Sequence, residues 1–185
     1  TAPPFRVERL HAAHDRAAFD CGVPALNTYL ATQASQDEKR RVASCFIAVA
    51  TATSKIAGYY TLSAASVDLS DIPAALAKKL PRYPAVPTIR LGRLAVAIAA
   101  RGQGLGAALL WDALARAAKV EIGAFALLVD AIDEGAARFY AHHRFTAFTD
   151  RPLLLFRPFK ETEMALRIAG ILPAFFCFLR QRSAA

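Results

Sequence analysis

The sequence predicts an α/β domain in which strands and helices share one hydrophobic core. The chain has 185 residues, about the length of a single domain, and 55% of them are hydrophobic, which is enough for one core. Short β-rich apolar runs alternate along it with segments of helical spacing. No repeat or low-complexity linker divides the chain. We therefore expect a single domain over residues 1–170 and an apolar tail over 171–185 whose role the sequence does not define.

The first half of the chain predicts a strand, a helix and a hairpin. The run RVERL is typical of a strand, and DCG at 20–22 is typical of a turn. Residues 43–51 and 55–67 are rich in β-forming residues and are joined by a short polar stretch, so they predict an antiparallel hairpin. Residues 24–41 end in a basic cluster and predict an amphipathic helix, because apolar residues recur at helical spacing at Leu26, Tyr29, Leu30 and Ala34.

The second half predicts alternating helices and strands on either side of a glycine-rich turn. Residues 72–80 predict a short basic helix. The remaining expected elements are a long apolar strand at 83–98, a turn at 101–106, a helix at 108–120, a buried strand at 124–131, a helix at 133–142 and a closing strand at 151–159. In this scheme Asp130 ends a strand and Asp133 is the N-cap of a helix.

The charge and the scattered cysteines limit the partners and the compartment. Lys and Arg number 23 against 15 Asp and Glu, which gives a net charge of +8 and favours a polyanionic partner. No apolar run has the roughly 18 to 20 residues of a spanning helix, and TAPPFRVERL does not resemble a signal peptide. Three isolated cysteines favour free thiols in the cytoplasm, and four histidines without a ligand motif predict no metal.

The turn RGQGLG at 101–106 carries the strongest local signal. Its glycines allow positive φ, and a helix follows at once, so inward N–H groups are expected to hold an anion, most naturally a phosphate. A P-loop is excluded because Ala107 stands where the lysine should be. The dinucleotide fingerprint matches the letters, and Glu121 lies about 20 residues on. An Arg-x-x-Gly-x-Gly pyrophosphate turn matches as well.

The order of elements favours the third interpretation of the turn. A dinucleotide-binding domain begins its βαβ units with the fingerprint, whereas here antiparallel strands and two helices come first. Glu121 also precedes its strand instead of ending it.

The strand RLAV, the turn RGQGLG and the later FYAHHRF, in this order, resemble the GNAT acetyltransferases. FDCGVPALNTYL, IAGYYTLS, YPAVPTIRLGRLAV and ARFYAHHRF further resemble the toxin members of GNAT and ribbon-helix-helix toxin–antitoxin pairs, over residues 5–159. The resemblance implies the GNAT fold, a mixed central sheet flanked by helices whose splayed central strand pair forms the acetyl-coenzyme A site. It also implies acetylation of the amino group of aminoacyl-tRNA, which blocks translation, and restraint by an antitoxin.

The resemblance assigns the cofactor site. Backbone N–H groups of the LAV strand would meet the acetyl carbonyl and pantetheine, and the glycine turn would hold the pyrophosphate. The expected cofactor residues are Leu94, Ala95, Val96, Arg101, Gly102, Gln103, Gly104, Leu105, Gly106, Asp133, Ala136 and Phe139.

Two positions depart from the pattern of that family. Ala97 stands where an acidic residue usually follows RLAV, which weakens a polar contact at the turn. Arg144 stands where a glycine usually precedes the final Phe, at a position that often favours positive φ, so we expect the turn after Tyr140 to be reshaped.

Residue chemistry supports Tyr140 as the catalytic group. Acetyl transfer to an amine needs a deprotonated nucleophile, donors for the carbonyl oxygen and a proton for the departing thiolate. The amine of an aminoacyl ester is less basic than lysine because the ester withdraws electrons, so no strong base is required. A tyrosine hydroxyl is protonated at neutral pH and can supply the proton. In the family, the tyrosine of FY lies beside the thioester sulfur.

Basic side chains are candidates for binding tRNA phosphates. Arg90 and Arg93 interrupt an apolar strand that leads to the cofactor turn. Charged residues are uncommon in such a strand, so their presence indicates a functional role. The full expected set is Lys39, Arg40, Lys78, Lys79, Arg82, Arg90 and Arg93. The expected partners are charged tRNA, a ribbon-helix-helix antitoxin and a second copy of the chain, with no membrane. Two alternatives stay open: acetylation of a small amine or protein amino group, and a fold kept only to bind nucleic acid.

Overall fold

A computed structural model describes residues 3–159 and contains one mixed sheet of seven strands. The strands are β1 (Phe5–Arg9), β2 (Ser44–Ala50), β3 (Ile56–Asp68), β4 (Ala85–Val96), β5 (Ala126–Asp130), β6 (Thr146–Phe148) and β7 (Arg151–Pro158). Their order across the sheet is β1-β2-β3-β4-β5-β7-β6, and β4 and β5 form its parallel pair. The apolar tail at 171–185 lies outside the described residues.

Helical segments connect the strands. They are α1 (Pro24–Thr28), a π-helical segment (Tyr29–Gln33), α2 (Ala34–Lys39), α3 (Ala74–Ala77), α4 (Leu105–Ala117) and α5 (Glu134–His142). α4 crosses from β4 to β5, as expected for a parallel pair. The predicted α/β class and the mixed sheet flanked by helices are confirmed.

Alternating residues of the central strands send their side chains to two cores on opposite faces of the sheet. Ile47 and Tyr59 pack with the α1–α2 segment, whereas Ala48 and Tyr60 pack with α4 and α5. A third cluster, around Phe156, covers the far end of the sheet beneath α3. The cores hold β4 between the N-terminal helical segment and the pair α4 and α5.

The helix expected over residues 24–41 contains a π-helical insertion. The Ala34 N–H donates to Tyr29 O, five residues back, and regular α-helix resumes up to Lys39. The insertion leaves the expected apolar positions buried, with Tyr29 at 3% exposure and Leu30 at 0%. Hydrophobic spacing predicted the buried face correctly but did not indicate the π-helical turn, because the spacing of these apolar positions also fits an ordinary α-helix.

Candidate active site

β4 and β5 separate in the middle of the sheet and open one edge of β4. β4 pairs with β3 as far as Val96, opposite Gly58. It pairs with β5 over only three residues, 89–91. The expected splayed strand pair is therefore present, and the part of β4 beyond Leu91 has an edge that β5 does not cover.

The N–H groups of Leu94 and Val96 face this open edge. The Ala97 N–H donates to Ala57 O on β3 at 2.8 Å, and peptide groups point alternately to the two sides of a strand. Ala95 therefore directs its own N–H to β3, while Leu94 and Val96 keep theirs for a ligand. Two donors on an open edge can bind the oxygen of an acyl group or an amide of an extended chain.

The glycine turn has the backbone conformation that the sequence predicts. Gly102 and Gly104 both have φ of +74°, and apart from the adjacent residues no atom lies within 4 Å of a Cβ built on either residue. Gly104 is the N-cap of α4, without a side-chain cap, and its carbonyl accepts from the Ala108 N–H at 3.1 Å. The N–H groups of the first helical turn thus have no acceptor within α4, and the helix dipole adds positive potential there. This cradle fits a pyrophosphate.

The side chains of the turn are used locally. The Arg101 guanidinium donates to Cys21 O at 2.6 Å, and the Ile98 N–H donates to Asp20 O at 2.9 Å. These bonds fix the 20–22 loop, which the sequence predicts, against the cofactor turn. Gln103 makes a long contact of 3.4 Å with Ala99 O. Arg101 thus contributes its charge to the turn while its hydrogen bond holds the loop.

Tyr140 lies in the last turns of α5 with its ring buried. It is 7% exposed, and its ring packs between Phe139 and Phe145. Burial raises the pKa of Tyr140 to about 12, so the hydroxyl stays protonated at neutral pH. Among residues 3–159 the hydroxyl has no hydrogen-bond partner, so its proton is available to a ligand.

Caps at both ends hold the helix that carries Tyr140. Asp133 is the N-cap, as expected, and its carboxylate accepts from the Ala136 N–H at 2.7 Å. At the other end Phe145 N–H donates to Tyr140 O and Arg144 N–H to Ala141 O, which is a Schellman motif. Arg144 adopts φ of +67°. The expectation of a reshaped turn is wrong, because Arg144 takes up the left-handed conformation itself.

Tyr140 lines a cleft of about 520 Å³ whose walls come from several elements. Ala136 and Tyr140 form one wall, and Arg93 and Leu94 of β4 form the floor. The opposite wall comes from the N-terminal helical segment, with Leu26 and Asp37. Phe139 contacts Tyr140 and the core, and Leu105 is buried at the start of α4. The cleft therefore brings the Tyr140 hydroxyl, the open edge of β4 and charged side chains together.

The structure separates the predicted basic residues into three groups. Arg90 lines the cleft but forms an ion pair with Asp130, whereas Arg93 lies with its Cζ 3.5 Å from the Tyr29 ring centroid. The other basic residues are exposed, Lys39 and Arg40 at the end of α2 and Lys78, Lys79 and Arg82 around α3.

Sequence reasoning missed the wall formed by the N-terminal segment. The Tyr29 hydroxyl donates to Asp37 at 2.8 Å, and Asp37 lines the cleft. Burial, followed by this bond to Asp37, raises the pKa of Tyr29 far above its usual range. A Tyr and an Asp eight positions apart on one helical stripe were the available signal. The pattern is common enough in ordinary helices that it identifies a site only once β4 is placed beneath it.

Glu8, His11 and His14 form a cluster whose ligand atoms lie within 4.8 Å of one another. His14 Nδ1 accepts from the His11 N–H at 3.1 Å, so Nε2 carries the proton and donates to Glu8 at 2.6 Å. A metal at Nε2 would need the lone pair that this tautomer lacks. The Arg6 and His14 bonds lower the pKa of Glu8 to about 2. The cluster is a hydrogen-bonded unit beside β1.

Comparison with known proteins gives a consistent result. The acetyltransferase (GNAT) family model matches residues 9–145. A tRNA-acetylating toxin of Mycobacterium tuberculosis (strain ATCC 25618 / H37Rv) is 34% identical over 155 residues, which cover 83% of this chain and 91% of that protein.

Two solved structures extend the similarity. AtaT complexed with acetyl-methionyl-tRNAfMet superposes with a TM-score of 0.80 at 30% identity, over 88% of this chain and 99% of that chain. A mutant AtaT toxin bound to the C-terminus of the antitoxin AtaR and acetyl-CoA gives 0.73 at 28% identity, over 88% and 98%. Within residues 3–159, no helix combines the length and the apolar character needed to cross a bilayer.

Proposed function

The chain belongs to the acetyltransferase (GNAT) family, and from that premise we propose that it transfers acetyl from acetyl-coenzyme A to the α-amino group of aminoacyl-tRNA and so inhibits translation. The observation that carries the proposal is the position of the protonated Tyr140 hydroxyl, which faces a cleft floored by the open edge of β4. The similarity to a tRNA-acetylating toxin and to an AtaT complex with acetylated aminoacyl-tRNA supports the choice of substrate.

The glycine turn and β4 form the donor half of the site. The pyrophosphate would lie on the free N–H groups at the start of α4, and the N–H groups of Leu94 and Val96 would bind the pantetheine and the acetyl carbonyl. Acetyl-coenzyme A supplies the acetyl group as a thioester. Asp133 supports the site as the cap of α5, and Ala136 and Phe139 would contact the donor from that helix.

Tyr140 would act as the general acid. The unprotonated amine of the aminoacyl ester attacks the thioester carbonyl, the carbonyl oxygen gains charge against the β4 N–H groups, and the carbon–sulfur bond breaks. The attacking nitrogen loses its extra proton to water, the Tyr140 hydroxyl gives its proton to the departing sulfur, and water then returns a proton to the tyrosine oxygen. At neutral pH the hydroxyl is in the protonated form that this role requires.

Exposed basic groups would hold the body of the tRNA. Lys78, Lys79 and Arg82 stand together around α3, and Lys39 and Arg40 end α2 beside the cleft wall. Each can neutralise a phosphate, and a net charge of +8 would draw the polyanion to the protein. Arg90 is partly neutralised by Asp130, so we assign it the smallest share of this binding.

We also propose that a ribbon-helix-helix antitoxin restrains the protein in the cytoplasm and that the toxin acts as a homodimer. An acidic segment of the antitoxin would compete with tRNA for the basic surface or cover the Tyr140 cleft. The complex of an AtaT mutant with the C-terminus of its antitoxin supports an inhibitor of this kind.

Acetylation of a small amine or protein amino group is the second candidate. The net charge of +8 favours tRNA over a polycationic amine, because like charges repel. Incubation with labelled acetyl-coenzyme A and total charged tRNA tests the proposal, with deacylated tRNA and spermidine as controls. We expect label only on charged tRNA, and label on spermidine alone would refute the assignment.

A further inference from the structure

Arg93 is a cation fixed in the floor of the cleft. Within residues 3–159 its guanidinium makes no hydrogen bond or ion pair, although the side chain is half-buried. Its neighbour on the strand, Arg90, has Asp130 as a partner. A partly desolvated charge without an anionic partner costs free energy. Folding alone therefore does not account for its position, which indicates a role in binding a ligand.

The guanidinium lies over a rigid aromatic stack. Its Cζ is 3.5 Å from the centroid of Tyr29, a face-to-face stacking distance. Tyr29 in turn stacks on Tyr59, with the ring planes 18° apart, and its hydroxyl is held by Asp37. Tyr59 donates to Leu26 O at 2.9 Å, so the whole stack is anchored to the N-terminal helical segment.

The Tyr29 ring covers the guanidinium on one side, and Arg93 also lines the cleft. Tyr29 is only 3% exposed and does not line the cleft, whereas Arg93 does. A planar cation with one free face is a stacking surface for a nucleobase, because bases of single-stranded ends stack on guanidinium planes. Arg93 is also next to Leu94, whose N–H faces the acyl site.

We propose that Arg93, supported by Tyr29, binds the terminal adenine of the charged tRNA by stacking and so places the aminoacyl amine before Tyr140. The inference rests on the proposed function, and it gives Arg93 a different role from the phosphate contact expected from the sequence. Every aminoacyl-tRNA carries its amino acid on a terminal adenosine, so this contact would serve any aminoacyl group.

A lysine at this position separates the two roles. Arg93→Lys keeps the positive charge but loses the plane, so a phosphate contact would survive and a stack would not. We expect kcat/KM for a charged microhelix ending in adenosine to fall about 10- to 100-fold, with no change in its slope against salt. Arg116→Lys is the matched control, since Arg116 also covers an aromatic ring, Phe46, outside the cleft.

A microhelix with a base-free terminal ribose completes the test. Both microhelices carry the amino acid that becomes acetylated in the labelling experiment with total charged tRNA. The parent should acetylate the base-free microhelix as slowly as the Arg93→Lys variant acetylates the microhelix that ends in adenosine. Both proteins should keep equal affinity for acetyl-coenzyme A. Equal parental rates on the two microhelices, or an Arg93→Lys variant as active as the parent, would overturn the stacking role alone. A parent that binds acetyl-coenzyme A yet acetylates neither microhelix would overturn the proposed function and the inference with it.

Discussion

The two halves of the proposed active site are built from different parts of the chain. The donor half uses main-chain groups, the open edge of β4 and the glycine turn before α4. The acceptor half uses side chains, Tyr140, Arg93 and Asp37, which three separate elements bring to one cleft. Main-chain donors depend on backbone conformation, whereas side-chain groups depend on how helices pack against the sheet. The halves should therefore fail through different substitutions.

Removing the hydroxyl of Tyr140 should have the largest effect. Tyr140→Phe keeps the packing against Phe139 and Phe145, so the fold and acetyl-coenzyme A affinity should stay unchanged while turnover falls about 10²- to 10⁴-fold. Steady-state kinetics with charged tRNA and calorimetry with acetyl-coenzyme A measure the two halves separately. Tyr83→Phe, at a tyrosine that is 68% exposed, is the matched control.

The activity of the parent protein as a function of pH tests the same role of Tyr140. Because the pKa of Tyr140 is raised to about 12, the acid form persists and activity should not fall between pH 7 and 10 through loss of this proton. An alkaline decline centred near pH 10 that Tyr140→Phe abolishes would contradict the buried, protonated hydroxyl. A Tyr140→Phe variant as active as the parent would make Tyr140 a core residue.

Backbone strain in the glycine turn should have the next largest effect and should act on the donor half. Gly104→Val places a β-branched residue at φ of +74°, a conformation that valine avoids, so acetyl-coenzyme A affinity should fall about 10- to 100-fold. Gly123→Val is the control, because that glycine has open space around its Cβ and no positive φ. Equal affinities in the two folded variants would refute the pyrophosphate assignment.

Neutralising the basic surface around α3 should affect the acceptor half more weakly. Replacement of Lys78, Lys79 and Arg82 by Gln should lower tRNA affinity about 10-fold near 0.15 M salt and reduce the slope of log K against log salt by about 2 to 3. Acetyl-coenzyme A binding should not change. Gln at the exposed Lys55 and Lys119, which removes two charges, is the control, and the two variants are compared per charge removed. A slope that these controls reduce equally would indicate a diffuse charge effect without a defined surface.

Relieving the backbone strain at Arg144 should have the smallest effect and should leave both halves of the site intact. Arg144→Gly removes the cost of φ +67° in the Schellman motif, so the free energy of unfolding should rise by about 0.5 to 1 kcal/mol and Tm by about 1 to 4 °C. Arg144→Ala retains the cost and serves as the control. Thermal unfolding that shows no gain for Gly over Ala would mean that the Arg144 side chain offsets the strain.

Local patterns in the sequence were enough for the donor half. The glycines before an apolar helix dictate a turn with positive φ and free N–H groups, and both Gly102 and Gly104 adopt it. The same kind of local rule predicted Asp133 as a cap and Tyr140 on a helix. These features depend on residues that are adjacent or one turn apart, so composition and spacing determine them.

Only the tertiary structure decided the acceptor half. Nothing local to Arg93 indicates that it lies over Tyr29, 64 positions earlier, or that Arg90 pairs with Asp130. The sequence also could not show that Arg101 holds Cys21 O or that Arg144 takes up positive φ without a reshaped turn. Such contacts join segments that are distant in the chain, and their geometry follows from how the helices pack on the sheet and where β4 and β5 part.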